Sequence, residues 1–173
     1  MKRIFYIALL FLVSCSLQVF DNDESSRVDG DSGKADKNSI KITRKLKNYE
    51  SKLGRGPSKI PQKLEDQMGE IDHIRELIDR QKYSDAFLHA KQLETALNRQ
   101  IKARAAFLKG EILFQQNEYD LAMQLLEEMV EKYAFSGMVL VALRRLLVCA
   151  EKLKLKEKRK KYYSLLHDFF GAI

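Results

Sequence analysis

From residue 64 onward, apolar side chains recur three and four positions apart, and no proline interrupts them. That spacing places one buried stripe on an α-helix. Leu64, Met68, Ile71, Ile74 and Ile78 form a first stripe, and Tyr83, Ala86, Phe87, Ala90, Leu93 and Leu97 a second. Ile101, Ala105, Leu108 and Ile112 predict a third helix, and Tyr119, Ala122, Leu126, Met129 and Tyr133 a fourth. The fifth, Met138 to Leu153, is apolar nearly all round, which predicts burial between neighbours. Arg144 and Arg145 at its centre argue against a membrane span. A sixth runs over about 155–170, with Tyr162, Leu165, Leu166 and Phe169 inward and Gly171 as its stop signal. The expectation is an all-α domain over residues 63–173, built of six helices with short connections.

The N-terminal third has a different pattern. Met1, Lys2 and Arg3 precede an apolar run, 4–13, which is too short to span a bilayer; a spanning helix needs roughly 20 residues. The run ends Leu12-Val13-Ser14-Cys15. An aliphatic residue three before a cysteine and a small one just before it resemble the lipobox of bacterial lipoproteins. That resemblance implies a signal peptide over 1–14, cleavage before Cys15 and diacylation of its thiol. The chain would then be lipid-anchored in the cell envelope, since each buried acyl methylene contributes about 0.8 kcal/mol. Ser16 lacks the aspartate that retains some lipoproteins in the inner membrane, which favours the periplasmic face of the outer membrane. With Cys15 acylated, Cys149 is left unpaired and reads as a small buried apolar residue.

Residues 15–62 read as the lipidated cysteine and a flexible, disordered tether. The stretch DNDESSRVDGDSGKAD, 21–36, has one valine and no aromatic residue, too little apolar surface to offset the entropy of ordering. A short helix is possible after it, over Ile40, Ile42, Leu46, Tyr49 and Leu53, until Gly54-Arg55-Gly56-Pro57 breaks it. A flexible stretch of this length would reach roughly 35–40 Å. The chain carries a net charge of +7, with its basic residues clustered over 37–59 and 152–161. An envelope address disfavours nucleic acid as partner; both clusters read first as simply solvated surfaces, with anionic headgroups as the ligand class they would otherwise meet.

The predicted helices come in similar pairs. RQKYSDA, 80–86, links the first two and QQNEYDLA, 115–122, the next two, so Tyr83 and Tyr119 are 36 apart and each precedes an alanine by three. Gly110, Asn117, Tyr119, Ala122 and Leu126 in the second pair resemble a tetratricopeptide repeat. The period departs from the family's 34, Ala106 and Ala134 replace the signature tryptophan and proline, and Ile74 stands in the first pair where glycine is expected. Leu155 and Lys158 hold the tyrosine and alanine positions of the third pair. The resemblance implies a stack of about three antiparallel helix pairs, with the first helix of each lining a concave surface.

Candidate chemistry is sparse. His73, His89 and His167 fall on three different helices without metal-pair spacing, and His89 reads as solvent-facing. Glu127, Glu128 and Glu131 read as a solvated helix face. No phosphate loop, nucleophile elbow or paired carboxylates are present, so no cofactor, no metal and no enzymatic activity are expected. The resemblance instead implies partner binding through Arg104, Phe107, Glu111, Phe114 and Gln115, with Ile71, Arg75 and Asp79 offered by the first pair. Phe107 and Phe114 either anchor a partner or pack inward. The overall plan resembles the BamD-like and other periplasmic adapter lipoproteins, which join envelope proteins during outer-membrane assembly. A cell-wall-associated regulator or binder, or a surface-exposed lipoprotein, is the alternative.

Overall fold

The computed structural model describes residues 32–171 apart from 58 and 60; the signal-peptide segment and Cys15 lie outside the described residues. Among the described residues the protein is all-α, with no strand. Ala35–Ile173 forms one compact unit. Its helices are α1 (Ser32–Lys52), α2 (Leu64–Asp79), α3 (Tyr83–Leu93), α4 (Arg99–Gln115), α5 (Tyr119–Lys132), α6 (Val139–Lys152) and α7 (Lys156–Phe170). From α2 onward each helix packs on the next, and α4 also meets α2 and α6. The result is three helical hairpins, α2–α3, α4–α5 and α6–α7, placed side by side.

Each hairpin closes through the same turn. Gln81, Asn117 and Lys154 adopt φ of 58°, 61° and 57°. The residue after each donates its backbone N–H back across the turn: Lys82 to Leu77 O, Glu118 to Leu113 O and Leu155 to Ala150 O, at 2.8, 2.9 and 2.8 Å. This is the left-handed C-terminal cap that satisfies the last carbonyls of a helix and reverses the chain. The turns are 36 and 37 residues apart, so the third hairpin's equivalents of Tyr119 and Ala122 are Lys156 and Arg159. The Leu155 and Lys158 alignment is therefore corrected by one residue, because the connection before α6 is longer than the 36-residue period allows.

α4 is the centre of the stack. Ile101, Ala105, Leu108 and Ile112 are buried, as their spacing predicts, but so are Ala103, Ala106 and Leu113 on its other sides. Gly110 is required here: a Cβ would lie 2.6 Å from Cδ2 of the fully buried Leu126 on α5. The sequence assigns all-round burial to the fifth helix; α6 instead exposes Val141 and Arg144, because no described helix covers that side. The second stripe also ends early. α3 stops at Leu93 because Asn98 caps α4, accepting from the N–H groups of Gln100 and Ile101, which leaves Leu97 93% exposed in the connection. Leu64, placed inward by spacing, is exposed at the first turn of α2, and Leu77 is buried in its stead.

The segment read as tether contains a full helix. α1 is 21 residues long, and Ile42, Leu46, Tyr49 and Leu53 make one stripe packed against the core of the hairpins. Tyr49 meets the ring of Phe87 edge-on at 5.3 Å and donates its hydroxyl hydrogen bond to Gln116 at 2.6 Å. Lys45 pairs with Glu118 and Asp120 in the α4–α5 turn, and Glu50 with Lys91 on α3. Partial burial lowers the affinity of the Lys45 ammonium for its proton, but the two carboxylates outweigh that, so its pKa is raised. Polar composition around the stripe conceals it in the sequence; four apolar residues on one face suffice because a receiving surface exists. Gly56 then passes closely over Leu88, and Gln67 donates to Pro61 O at 2.8 Å, tying the connection to α2.

Two substitutions test the turn and the close approach. Lys154→Gly removes a left-handed strain of roughly 1–2 kcal/mol, partly offset by glycine's greater unfolded-state entropy, and should raise the melting temperature by about 2–4 °C. Gly110→Ala should lower stability by about 1–3 kcal/mol in urea titrations, since the fully buried Leu126 must shift to admit the methyl group. A neutral result at both positions contradicts the assigned packing.

Candidate functional site

One helix face carries the residues that the sequence marks for partner binding. Arg104, Phe107, Glu111, Phe114 and Gln115 are spaced three, four, three and one along α4 and so share a side. Arg104 is half-buried and reaches Met68 Sδ on α2 at 3.0 Å. Phe107 and Phe114 are both half-buried and rest against the core. Phe114 meets the Tyr119 ring edge-on at 5.5 Å, and the Arg145 guanidinium lies 4.8 Å from its centroid. Gln115 is exposed and donates to Glu111 Oε1 at 2.9 Å.

Glu111 has a different part from its neighbours. It is buried, and Arg145 on α6 holds both its oxygens, with Nε and Nη2 at 2.6 and 2.9 Å. Two parallel N–H···O bonds are the strongest arrangement open to this pair. Glu111 therefore fastens the second hairpin to the third and leaves little carboxylate for a partner. Lys109, two residues earlier and across the helix, is also buried and bonds Glu94 of the first hairpin at 2.7 Å. Buried charges need such partners, and these two come from opposite neighbours.

The first hairpin contributes unequally. Ile71 is fully buried, as its place on the first apolar stripe predicts, which corrects its place among the partner-facing residues. Arg75 and Asp79 are exposed, and Arg75 pairs with Asp72 at 2.7 Å. The third hairpin adds Val141 and Arg144, both exposed and, by the register of the turns, equivalent to Arg104 and Phe107. The sequence alone does not assign them, because the one-residue longer third unit shifts their alignment.

Several side chains away from this face differ from their expected surroundings. His89 is half-buried and pairs through Nδ1 with Glu70, while the His73 ring packs against it at 5.2 Å. These histidines look scattered in the sequence because antiparallel pairing of α2 and α3 brings them together. Glu127 is not a solvated carboxylate: it accepts from Lys158 at 2.8 Å and from the Tyr162 hydroxyl. Burial first, then that bond to Glu127, pushes the Tyr162 phenol well above its ordinary range. Cys149 is fully buried, and desolvation raises its thiol to about 12, too high for a reactive thiolate.

A depression of about 200 Å³ opens beside Lys109, lined by Glu94, Ala106, Leu125, Met129 and Tyr133. Ordinary small-molecule sites hold about 300–1,000 Å³, so this one is undersized. Among the described residues no three His, Cys, Asp or Glu side chains gather as metal ligands would, and no helix is long and apolar enough to cross a membrane. No family model, curated protein or solved structure matches this chain.

The Glu111–Arg145 pair gives a measurable expectation. Arg145→Met keeps the aliphatic stem but strips a carboxylate that is 11% exposed of its main partner. The expected loss is about 1–3 kcal/mol in urea unfolding, against less than about 0.5 kcal/mol for exposed Arg144→Met. Equal shifts would mean that the pair does not join the hairpins.

Proposed function

We propose that this protein is a lipid-anchored adapter of the bacterial cell envelope, built on tetratricopeptide-like repeats and serving outer-membrane protein assembly. The thrice-repeated left-handed turn carries the repeat reading. It recurs at 36 and 37 residues, and between the turns each helix packs on the next while α4 also packs on α2 and α6. Gly110 and Leu126 add support: the glycine of the first helix receives the large residue of the second, as the repeat requires.

In this reading the shared face of α2, α4 and α6 receives a segment of an envelope protein. Its parts are Arg104, Phe107, Phe114 and Gln115 at the centre, Arg75 on one side and Val141 with Arg144 on the other. Half-exposed apolar groups among charged ones suit a partner with apolar anchors and a polar rim. Glu111 acts within the scaffold, holding the Arg145 guanidinium beside Phe114. The anchor is Cys15, at the end of the apolar run 4–13.

Val141→Asp is the discriminating substitution, because Val141 is already 39% exposed and its replacement costs little folding stability. Purified from detergent-solubilised membranes, the wild-type chain should bring down components of β-barrel assembly. Val141→Asp, and Phe107→Ala with Phe114→Ala, should lose them, with Val141→Asp melting within a few degrees of wild type. An unchanged set of companions for Val141→Asp would remove the face from consideration. Separately, Cys15→Ala should leave unprocessed precursor; a mature, membrane-bound product of unchanged mass would refute the anchor.

A further inference from the structure

The three left-handed turns lie at one edge of the hairpin array. α2, α4 and α6 run parallel, each returned by its antiparallel partner, so their C-terminal ends point the same way. The third turn is the most basic place on that edge. Lys152, Lys154, Lys156, Lys160 and Lys161 are exposed there, and none of the five is in an ion pair among the described residues. Of the neighbouring cations, Lys158 is taken by Glu127 and Arg159 by Glu151. Amid these lysines, of which Lys161 lies over the Tyr162 ring, stand two half-exposed apolar groups, Leu155 at 40% and Tyr163 at 46%. At the first turn, Arg80 and Lys82 are also exposed.

The middle turn would break this positive edge. It presents Glu118 and Asp120, and both carboxylates are bound by Lys45 of α1 at 2.6 and 2.8 Å. The docked helix thus offsets one of the two negative charges at this turn and carries exposed Lys41, Arg44 and Lys47 on its own surface. α1 shifts the edge toward positive charge, with Asp79, Asp85 and Glu157 still exposed along it.

We propose that this edge is a contact surface for anionic phospholipid headgroups, centred on the α6–α7 turn, with Leu155 entering the interfacial layer. Each lysine near an anionic leaflet strengthens attachment about fivefold, and clusters of such residues are what a headgroup layer recognises. The exposed Leu155 and Tyr163 favour a bilayer over a nucleic acid, since a phosphate backbone has no apolar layer to receive them. Proximity to a membrane rests on the Cys15 anchor proposed above, whereas headgroup binding by this edge is measured without the anchor.

The test uses the full chain carrying Cys15→Ala, cosedimented with vesicles of phosphatidylcholine alone or with about one-third phosphatidylglycerol. On this background Lys152→Gln with Lys154→Gln and Lys156→Gln is compared with Lys63→Gln, Lys102→Gln and Lys132→Gln, which change the total charge equally at other places. Glutamine already occupies the left-handed position at residue 81, so the first set should keep its fold. It should bind the anionic vesicles at least about tenfold more weakly, while the second stays within about twofold of the parent. Leu155→Ser should weaken binding about threefold with no change in charge, and Lys160→Gln with Lys161→Gln about tenfold with no change in the turn. Equal losses in the two triple variants, equal binding of the parent to both vesicle types, or displacement by duplex DNA at matched phosphate concentration would each overturn the proposal. Loss of the anchor in cells together with edge-dependent vesicle binding would refute the anchor alone.

Discussion

Gln81, Asn117 and Lys154 all hold left-handed backbone conformations, and none of them is glycine. Such a conformation costs a side-chain-bearing residue roughly 1–2 kcal/mol, so it persists only where the surroundings over-determine it. Here the surroundings are the buried contacts of each hairpin, together with the backbone bond that crosses the turn. Because the same reversal occurs three times, α2, α4 and α6 are parallel and adjacent. The candidate partner face and the basic edge both follow from that arrangement.

Between hairpins, polar contacts complement the apolar packing. α4 has neighbours before and after it, and the buried Lys109 and Glu111 are satisfied from those two directions by Glu94 and Arg145. A buried ion pair contributes little net stability, but leaving either charge alone is costly, so a slipped alignment is penalised. Hydrophobic contacts among Leu, Ile and Ala tolerate small sliding motions far better. The same Arg145 lies over Phe114, which couples the scaffold to the proposed partner face.

α1 shows how composition and context differ. Its surroundings are strongly polar, yet Ile42, Leu46, Tyr49 and Leu53 recur on one side and find a receiving surface. Its ion pairs are largely exposed, and pairs of that kind contribute little by themselves. Their effect is on the surface charge, since Lys45 offsets part of the negative charge of Glu118 and Asp120.

The amino-acid sequence by itself determined the all-α class, the positions of the six helices from residue 64 onward and the closing glycine of α7, because a buried stripe needs only local spacing. It also marked Gly110, Ala122 and Leu126 as repeat-like positions, and the shared side of Arg104, Phe107, Glu111, Phe114 and Gln115. Only the tertiary structure decided which of these stay accessible: Glu111 turns inward, while Val141 and Arg144 join the face at the surface. It likewise decided the early end of α3, the pairing of His73 with His89, the capture of Glu127 and the docking of α1. Each of these depends on residues from different helices meeting in space, and a periodicity read along one helix carries no record of what the neighbouring helix brings to it.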